Sequence, residues 1–271
     1  MMKPVSIRKV KPRSTVEVHL PDGIVLSGAR GTPVELFVKK AANPRHVPIV
    51  GAIVNSELRE LTYPIEFDSR VDPVYMDGAD GARIYRRSII FLLEVAFEEL
   101  FPNGSVTIDH SVASGGFFCQ VSGLKPFGRD EIRRLEKRMK ALVQADLPFE
   151  RQTVALQEAV EYFRSHGQDD KVRLLHYRQK EYLVLYRLGE HRDYHHGYMV
   201  PSTGYLKWFA LIPMEDGFVL HFPRRNSPTR LLPMPEYPKL LATFREYGAW
   251  LERLGIGSVG ALNDAINQQR I

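Results

Sequence analysis

Two apolar runs, Tyr205–Pro213 and Phe218–Phe222, flank Glu215-Asp216-Gly217. Asp-Gly between such runs is a hairpin signal, because both residues accept the positive φ that a tight turn demands. Ahead of the hairpin lies His195-His196-Gly197-Tyr198-Met199-Val200-Pro201-Ser202-Thr203-Gly204. Gly197, Pro201 and Gly204 break any regular helix there. The stretch Tyr194–Arg225 is therefore a hairpin fed by a shaped loop. The loop's His, Tyr, Ser and Thr side chains either hydrogen-bond their own backbone or line a binding site.

The segments before it alternate strands and helices. Val16, Val18 and Leu20 alternate with polar residues, and Pro21-Asp22-Gly23 turns the chain into a return strand beginning at Ile24–Leu26. Thr32 is read as an N-cap with Pro33 at the first helical position, and Val34, Leu36, Phe37 and Ala41 form the apolar stripe. Strands are expected over Ile49–Val54 and Val71–Tyr75, a flexible joint over 77–81, and a helix over Ala82–Leu100. Short strands at Val106–Ile108 and Phe117–Val121 precede an amphipathic helix at Arg129–Leu142, with Ile132, Leu135, Met139 and Leu142 inward. A helix over Thr153–His166, a strand over Tyr182–Leu188 and helices over Tyr237–Gly255 and Val259–Ile266 complete the reading. Leu240, Leu241, Phe244, Trp250 and Leu251 are the expected anchors of the first of these last helices.

The chain has 271 residues, a 44% hydrophobic fraction and a formal net charge of +5. No run approaches the roughly 18 apolar residues that span a membrane. The single cysteine, Cys119, excludes an internal disulfide and a Cys-rich zinc site, and a cytoplasmic setting is expected. The mild basic excess permits an anionic partner without demanding one. Lys3, Arg8, Lys9, Lys11 and Arg13 form a basic arm that either touches phosphates or frays. There is no G-x-x-x-x-G-K-[ST], G-x-G-x-x-G, H-E-x-x-H or G-x-S-x-G.

VEVHLPDG, GTPVELFVKKAA and VGAIVNSELRELTYPIEFDSRVD together resemble the TGS domain, a β-grasp module of threonyl-tRNA synthetases and some GTPases. From Ala82 to Arg225 the chain resembles the second additional domain of threonyl- and alanyl-tRNA synthetases, which in threonyl enzymes hydrolyses mischarged tRNA. Ser88, Phe101-Pro102, Gly116-Phe117-Phe118, Leu135–Met139 and Val200–Lys207 carry that likeness. The family marks its site with an H-x-x-x-H pair on a helix and a C-x-x-x-H pair before a strand. Here those positions fall on Arg87, Phe91, His195 and Met199. Phenylalanine has no lone pair to offer, arginine stays charged, and a thioether is a soft, weak ligand. One imidazole is too few for zinc.

HGYMVPSTGYLKWF at His196–Phe209 and GARIYRRSIIFLL at Gly81–Leu93 also resemble bacterial uridine-kinase-like nucleoside kinases, which carry TGS and synthetase-like domains ahead of a P-loop kinase domain. The resemblances imply an α+β chain: residues 1–76, a basic arm and β-grasp module; 77–81, a linker; 82–235, an editing-like domain; 236–271, C-terminal helices leading toward a kinase domain. They imply a non-catalytic regulatory or recruiting module with no cofactor of its own, ATP and magnesium belonging to the kinase domain. A divergent trans-editing hydrolase of misacylated tRNA and a plain tRNA- or RNA-binding module are the alternatives. Partners would be a nucleoside, a nucleotide, or tRNA or other RNA.

Ligand-binding candidates are Arg87, His195, His196, Tyr198, Ser202, Thr203 and Lys207, with no catalytic residue and no metal. Arg87 suits a phosphate, a carboxylate or a structural salt bridge, and Lys207 points into the cleft or to solvent. His191-x-x-x-His195 has helical metal spacing without a third ligand. Cys119, among Phe117, Phe118 and Val121, reads as a small core residue.

Overall fold

The computed structural model describes residues 9, 11–41, 46–112, 115–124, 127–214, 217–234 and 238–271, with side chains for all of these except 238–242, 244 and 245. The hairpin turn residues Glu215 and Asp216, the arm residues Lys3 and Arg8, and the anchors Leu240, Leu241 and Phe244 lie outside this description.

The chain is α+β. Its first part is a mixed five-stranded sheet, β1 (Thr15–His19), β2 (Val25–Ala29), β4 (Ile49–Val54), β5 (Glu57–Arg59) and β7 (Ser69–Tyr75), in the order β2-β1-β7-β4-β5. β1 and β7 pair in parallel, with antiparallel neighbours outside them. Short β3 (Thr32–Pro33) and β6 (Pro64–Ile65) pair separately. The alternation read at Val16, Val18 and Leu20 is the buried face. Helix α1 (Val34–Val38) packs on it through Val34, Phe37 and Val38, whereas Leu36 is exposed. Thr32 does not cap that helix: its backbone pairs with Ile65 in a strand, and Pro33 stands at the cap. Arg13, at the end of the arm, pairs with Asp68 and Glu17 on the exposed surface.

The second part is built around helix α2 (Ala79–Leu100). The glycine-rich stretch expected as a joint is helical from Ala79 onward. Gly81 is buried, and a Cβ there would overlap the Tyr75 carbonyl, so the missing side chain lets the helix dock on the end of β7. Val50 and Met76 of the first part share one apolar core with Ile84, Ile89, Phe91 and Leu92 of α2. β8 (Ser105–Ser111), β9 (Gly116–Ser122), β13 (Ala210–Met214) and β14 (Gly217–His221) form a sheet ordered β13-β14-β9-β8 behind the helix. Helix α3 (Arg129–Ala145) buries Ile132, Leu135, Met139 and Leu142, the stripe its spacing predicts. Cys119 is fully buried, and burial pushes its thiol up to about 12, so it is an inert core residue.

A third sheet orders β10 (Glu150–Ala155), β11 (Tyr182–Leu188) and β12 (His191–Asp193) in sequence. The expected helix over Thr153–His166 begins three residues late, because Thr153, Val154 and Ala155 are strand. Gln152, Thr153 and Val154 pair with Leu185, Val184 and Leu183, and helix α4 runs from Leu156 to Ser165. Val154 and its β-branched neighbour Thr153 suit a pleated edge better than a helix. Helix α5 (Asp169–His176) follows, and its Arg173 packs against Gly260 of the last helix, α7 (Val259–Asn267). Helix α6 (Pro238–Arg253) precedes α7, with Trp250 about half exposed rather than an inward anchor.

Candidate functional site

The loop 194–204 lies along one face of α2 and is tied to it twice. Ser88 Oγ donates back to the Ile84 carbonyl and accepts from the Val200 N–H at 3.0 Å. Arg87 Nη1 donates to the Tyr198 carbonyl at 2.5 Å. Gly197 has φ +108°, and a Cβ there would sit 2.7 Å from Arg87 Nη2. Glycine is required by both the backbone and the guanidinium beside it. Phe91 and Met199 are buried, and the Phe91 ring lies 5.0 Å from the His195 ring. The cleft in which the resemblance sets four ligating side chains is thus filled by an arginine, a phenylalanine and a methionine.

One turn further along α2 the surroundings become polar. His195 Nε2 lies 3.2 Å from Glu94 Oε2 and 3.9 Å from Asp193 Oδ2, and Lys171 Nζ donates to Asp193 at 2.5 Å. Glu94 Oε2 and His195 Nε2 are both buried without a well-aligned hydrogen bond. Burial, then the neighbouring Glu94 charge, raises the Asp193 carboxyl above its ordinary range, against the opposing Lys171 and His195. His191 faces Glu98 at 2.8 Å; that hydrogen bond raises the imidazole and lowers the carboxyl, as in an ion pair. Glu94, Glu98, Lys171, His191 and Asp193 border a cavity of about 460 Å³ also lined by Phe91, His166 and Gln168, and His195 lies behind its wall.

Among the described residues, Glu94, Asp193 and His195 are the one group of three whose donor atoms all fall within 4.8 Å of one another. One imidazole and two carboxylates would suit a divalent cation. The Lys171 ammonium already pairs with Asp193, so a cation there would compete with an existing ion pair. His191 and His195 do not converge, since each faces its own glutamate.

The sequence candidates divide into three groups. Arg87, His195 and Tyr198 meet at the α2 face. Ser202 and Thr203 serve the backbone: Ser202 donates to Asp146, and the fully buried Thr203 hydroxyl donates to the Leu142 carbonyl and accepts from the Leu147 N–H. They fasten the end of α3, where Asp146 is left-handed. His196 and Lys207 are exposed at either end of the loop. Sequence reasoning did not single out Glu94, Glu98, Lys171 or Asp193. A signal was present, because 87, 91, 94 and 98 recur at helical spacing on one face of α2.

Tyr198 forms the rim. Arg59 Nη1 donates to its hydroxyl at 3.3 Å, and the Arg151 guanidinium lies 5.8 Å from its ring centre. Arg59 also lies 5.0 Å from the Tyr63 ring. Two arginines from different sheets thus frame a partly exposed tyrosine.

Fold and site define an α+β unit similar to part of a threonine–tRNA ligase. The chain is 33% identical over 204 residues to the threonine–tRNA ligase of Burkholderia lata, covering 75% of this chain and 32% of that protein. It is 33% identical over 202 residues to that of Aromatoleum aromaticum (74% and 32%) and 35% identical over 203 residues to that of Marinobacter nauticus (74% and 31%). The matched part spans about a third of the length of these curated relatives. No protein-family model matches the chain. Among the described residues, no helix is long and apolar enough to cross a membrane.

Proposed function

We propose that the chain is a tRNA-binding module that keeps the frame of a threonine–tRNA ligase editing domain without that family's hydrolytic groups. The filled cleft carries this reading: Arg87 is spent on the Tyr198 carbonyl, and Phe91 and Met199 are packed in the core. The arginine-framed Tyr198 offers what an RNA strand needs, cations for phosphates and an aromatic face for an unstacked base. In electrophoretic shift assays, tRNA is expected to bind with an affinity that falls steeply with salt, as counterion release requires. Arg59→Ala combined with Arg151→Ala is expected to weaken binding by at least tenfold. Unchanged binding in the double variant would remove the rim from the account.

One observation favours a second reading, a divergent deacylase of misacylated tRNA. Glu94 lines a polar cavity and its Oε2 lies 3.2 Å from His195 Nε2, and both atoms are buried without aligned partners, an arrangement in which Glu94 could hold a water. Deacylation abolished by His195→Ala would establish it. The TGS-like character of the first 76 residues, and a following kinase domain using ATP and magnesium, are further parts of the proposal. They are supported by the motif likenesses at residues 16–72, Gly81–Leu93 and His196–Phe209. Continuation of the reading frame into a G-x-x-x-x-G-K-[ST] motif tests the kinase part.

A further inference from the structure

A second cavity, of about 600 Å³, opens between the first turns of α2, the start of β9 and the segment that follows β14. Its cationic side is Arg86, Arg224 and Arg225, against a single lining carboxylate, Asp77. Arg86 is half-buried. Its Nε donates to the Ala82 carbonyl at 3.1 Å and Arg225 Nε donates to the Asp77 carbonyl at 3.3 Å, which fixes both guanidinium planes from one edge. Among the described residues, neither Arg86 nor Arg225 forms an ion pair. Burial, and then repulsion from Arg83 and Arg225, disfavours the charged form of Arg86. Converging guanidiniums cost free energy that a multivalent oxyanion offsets, because each presents a planar fork of donors to it.

The floor is apolar. Phe117 and Phe222 pack with ring centres 5.1 Å apart and planes tilted by 56°, and Phe117 is partly exposed. Gly115 lets Arg224 lie flat: its φ is +97°, and a Cβ there would approach the Arg224 Cγ to 3.0 Å. The buried His221 ring bridges the Gly115 carbonyl and the Leu232 carbonyl, holding this wall in place. The volume is that of a small-molecule site and exceeds what an inorganic anion fills.

We infer that this cavity binds a nucleoside monophosphate group, its phosphate on Arg86, Arg224 and Arg225 and its base on Phe117. The site is separate from the Tyr198 rim and does not rest on the tRNA-binding reading. Isothermal titration of the full chain with adenosine 5′-monophosphate, adenosine and inorganic phosphate tests it. The monophosphate is expected to bind at least tenfold more tightly than either fragment. Arg86→Ala and the exposed-site variant Arg225→Ala should each weaken it by at least tenfold, and Phe117→Ala should narrow its advantage over phosphate. If a CCA-ended tRNA displaces the monophosphate, the source is an RNA terminus; if it does not, the source is a free nucleotide. Equal binding of monophosphate and phosphate, or no effect of Arg225→Ala in a folded protein, would overturn the assignment.

Discussion

The Arg87 guanidinium lies against the bare α-carbon of Gly197 and donates to the carbonyl of Tyr198, the next residue. One side chain thus fixes the loop and fills the space between it and α2. Gly197→Ala meets both a positive φ and that guanidinium. It is expected to destabilise the chain by about 1–3 kcal/mol, read from urea denaturation. A change under about 0.3 kcal/mol would show that the loop relaxes freely.

Thr203 is expected to behave as a structural residue. Thr203→Val preserves shape but leaves the Leu142 carbonyl and Leu147 N–H without their buried partner, at about 1–3 kcal/mol for each group. Thr203→Ser keeps the hydroxyl and should recover most of the loss. Ligand binding should be the same in Thr203→Ser and the parent protein. A large binding defect with unchanged stability would return Thr203 to the ligand site.

The hydrophobic stripes of α2 and α3 and the alternation in β1 were legible in the sequence, because burial selects residues at fixed periods. The helix read across Thr153 was not, since β10 is set by its partner β11 rather than by local pattern. At the site, the motif likeness led to Arg87, His195 and Tyr198. It could not show that Ser202 and Thr203 spend their hydroxyls on the end of α3. Asp193 and Lys171 join Glu94 and His195 through tertiary contact between β12 and α5, and no spacing in the sequence encodes that meeting.

The tie between the two parts of the chain is expected to depend on pH. Tyr186 Oη donates to Glu60 Oε2 at 2.8 Å. Burial raises the Glu60 carboxyl above 4.5, and the tyrosine partly offsets this by stabilising the carboxylate. A raised carboxyl favours the folded state below its unfolded value, and that contribution is lost as pH rises through the folded value. Tyr186→Phe raises it further. The variant should therefore lose about 1.5–3 kcal/mol at pH 7.5 and less at pH 4, where Glu60 is protonated. An equal loss at both pH values would contradict this.

No tightly held metal is expected. At the motif positions Arg87 repels a cation and Phe91 offers no donor, while at the neighbouring cluster Lys171 already pairs with Asp193. Elemental analysis after dialysis against a chelator should find far less than one zinc per chain. One zinc per chain, lost in His195→Ala, would make Glu94, Asp193 and His195 a metal centre.

The central claim is binding of tRNA without the family's hydrolysis. Mischarged threonine-specific tRNA, incubated with the purified chain at a concentration that saturates binding, tests it most directly. The account predicts a full electrophoretic shift, with ester loss at the rate seen without protein and unchanged in His195→Ala. Ester loss accelerated at least a hundredfold, and abolished by His195→Ala, would contradict it and make the His195 cluster a catalytic site.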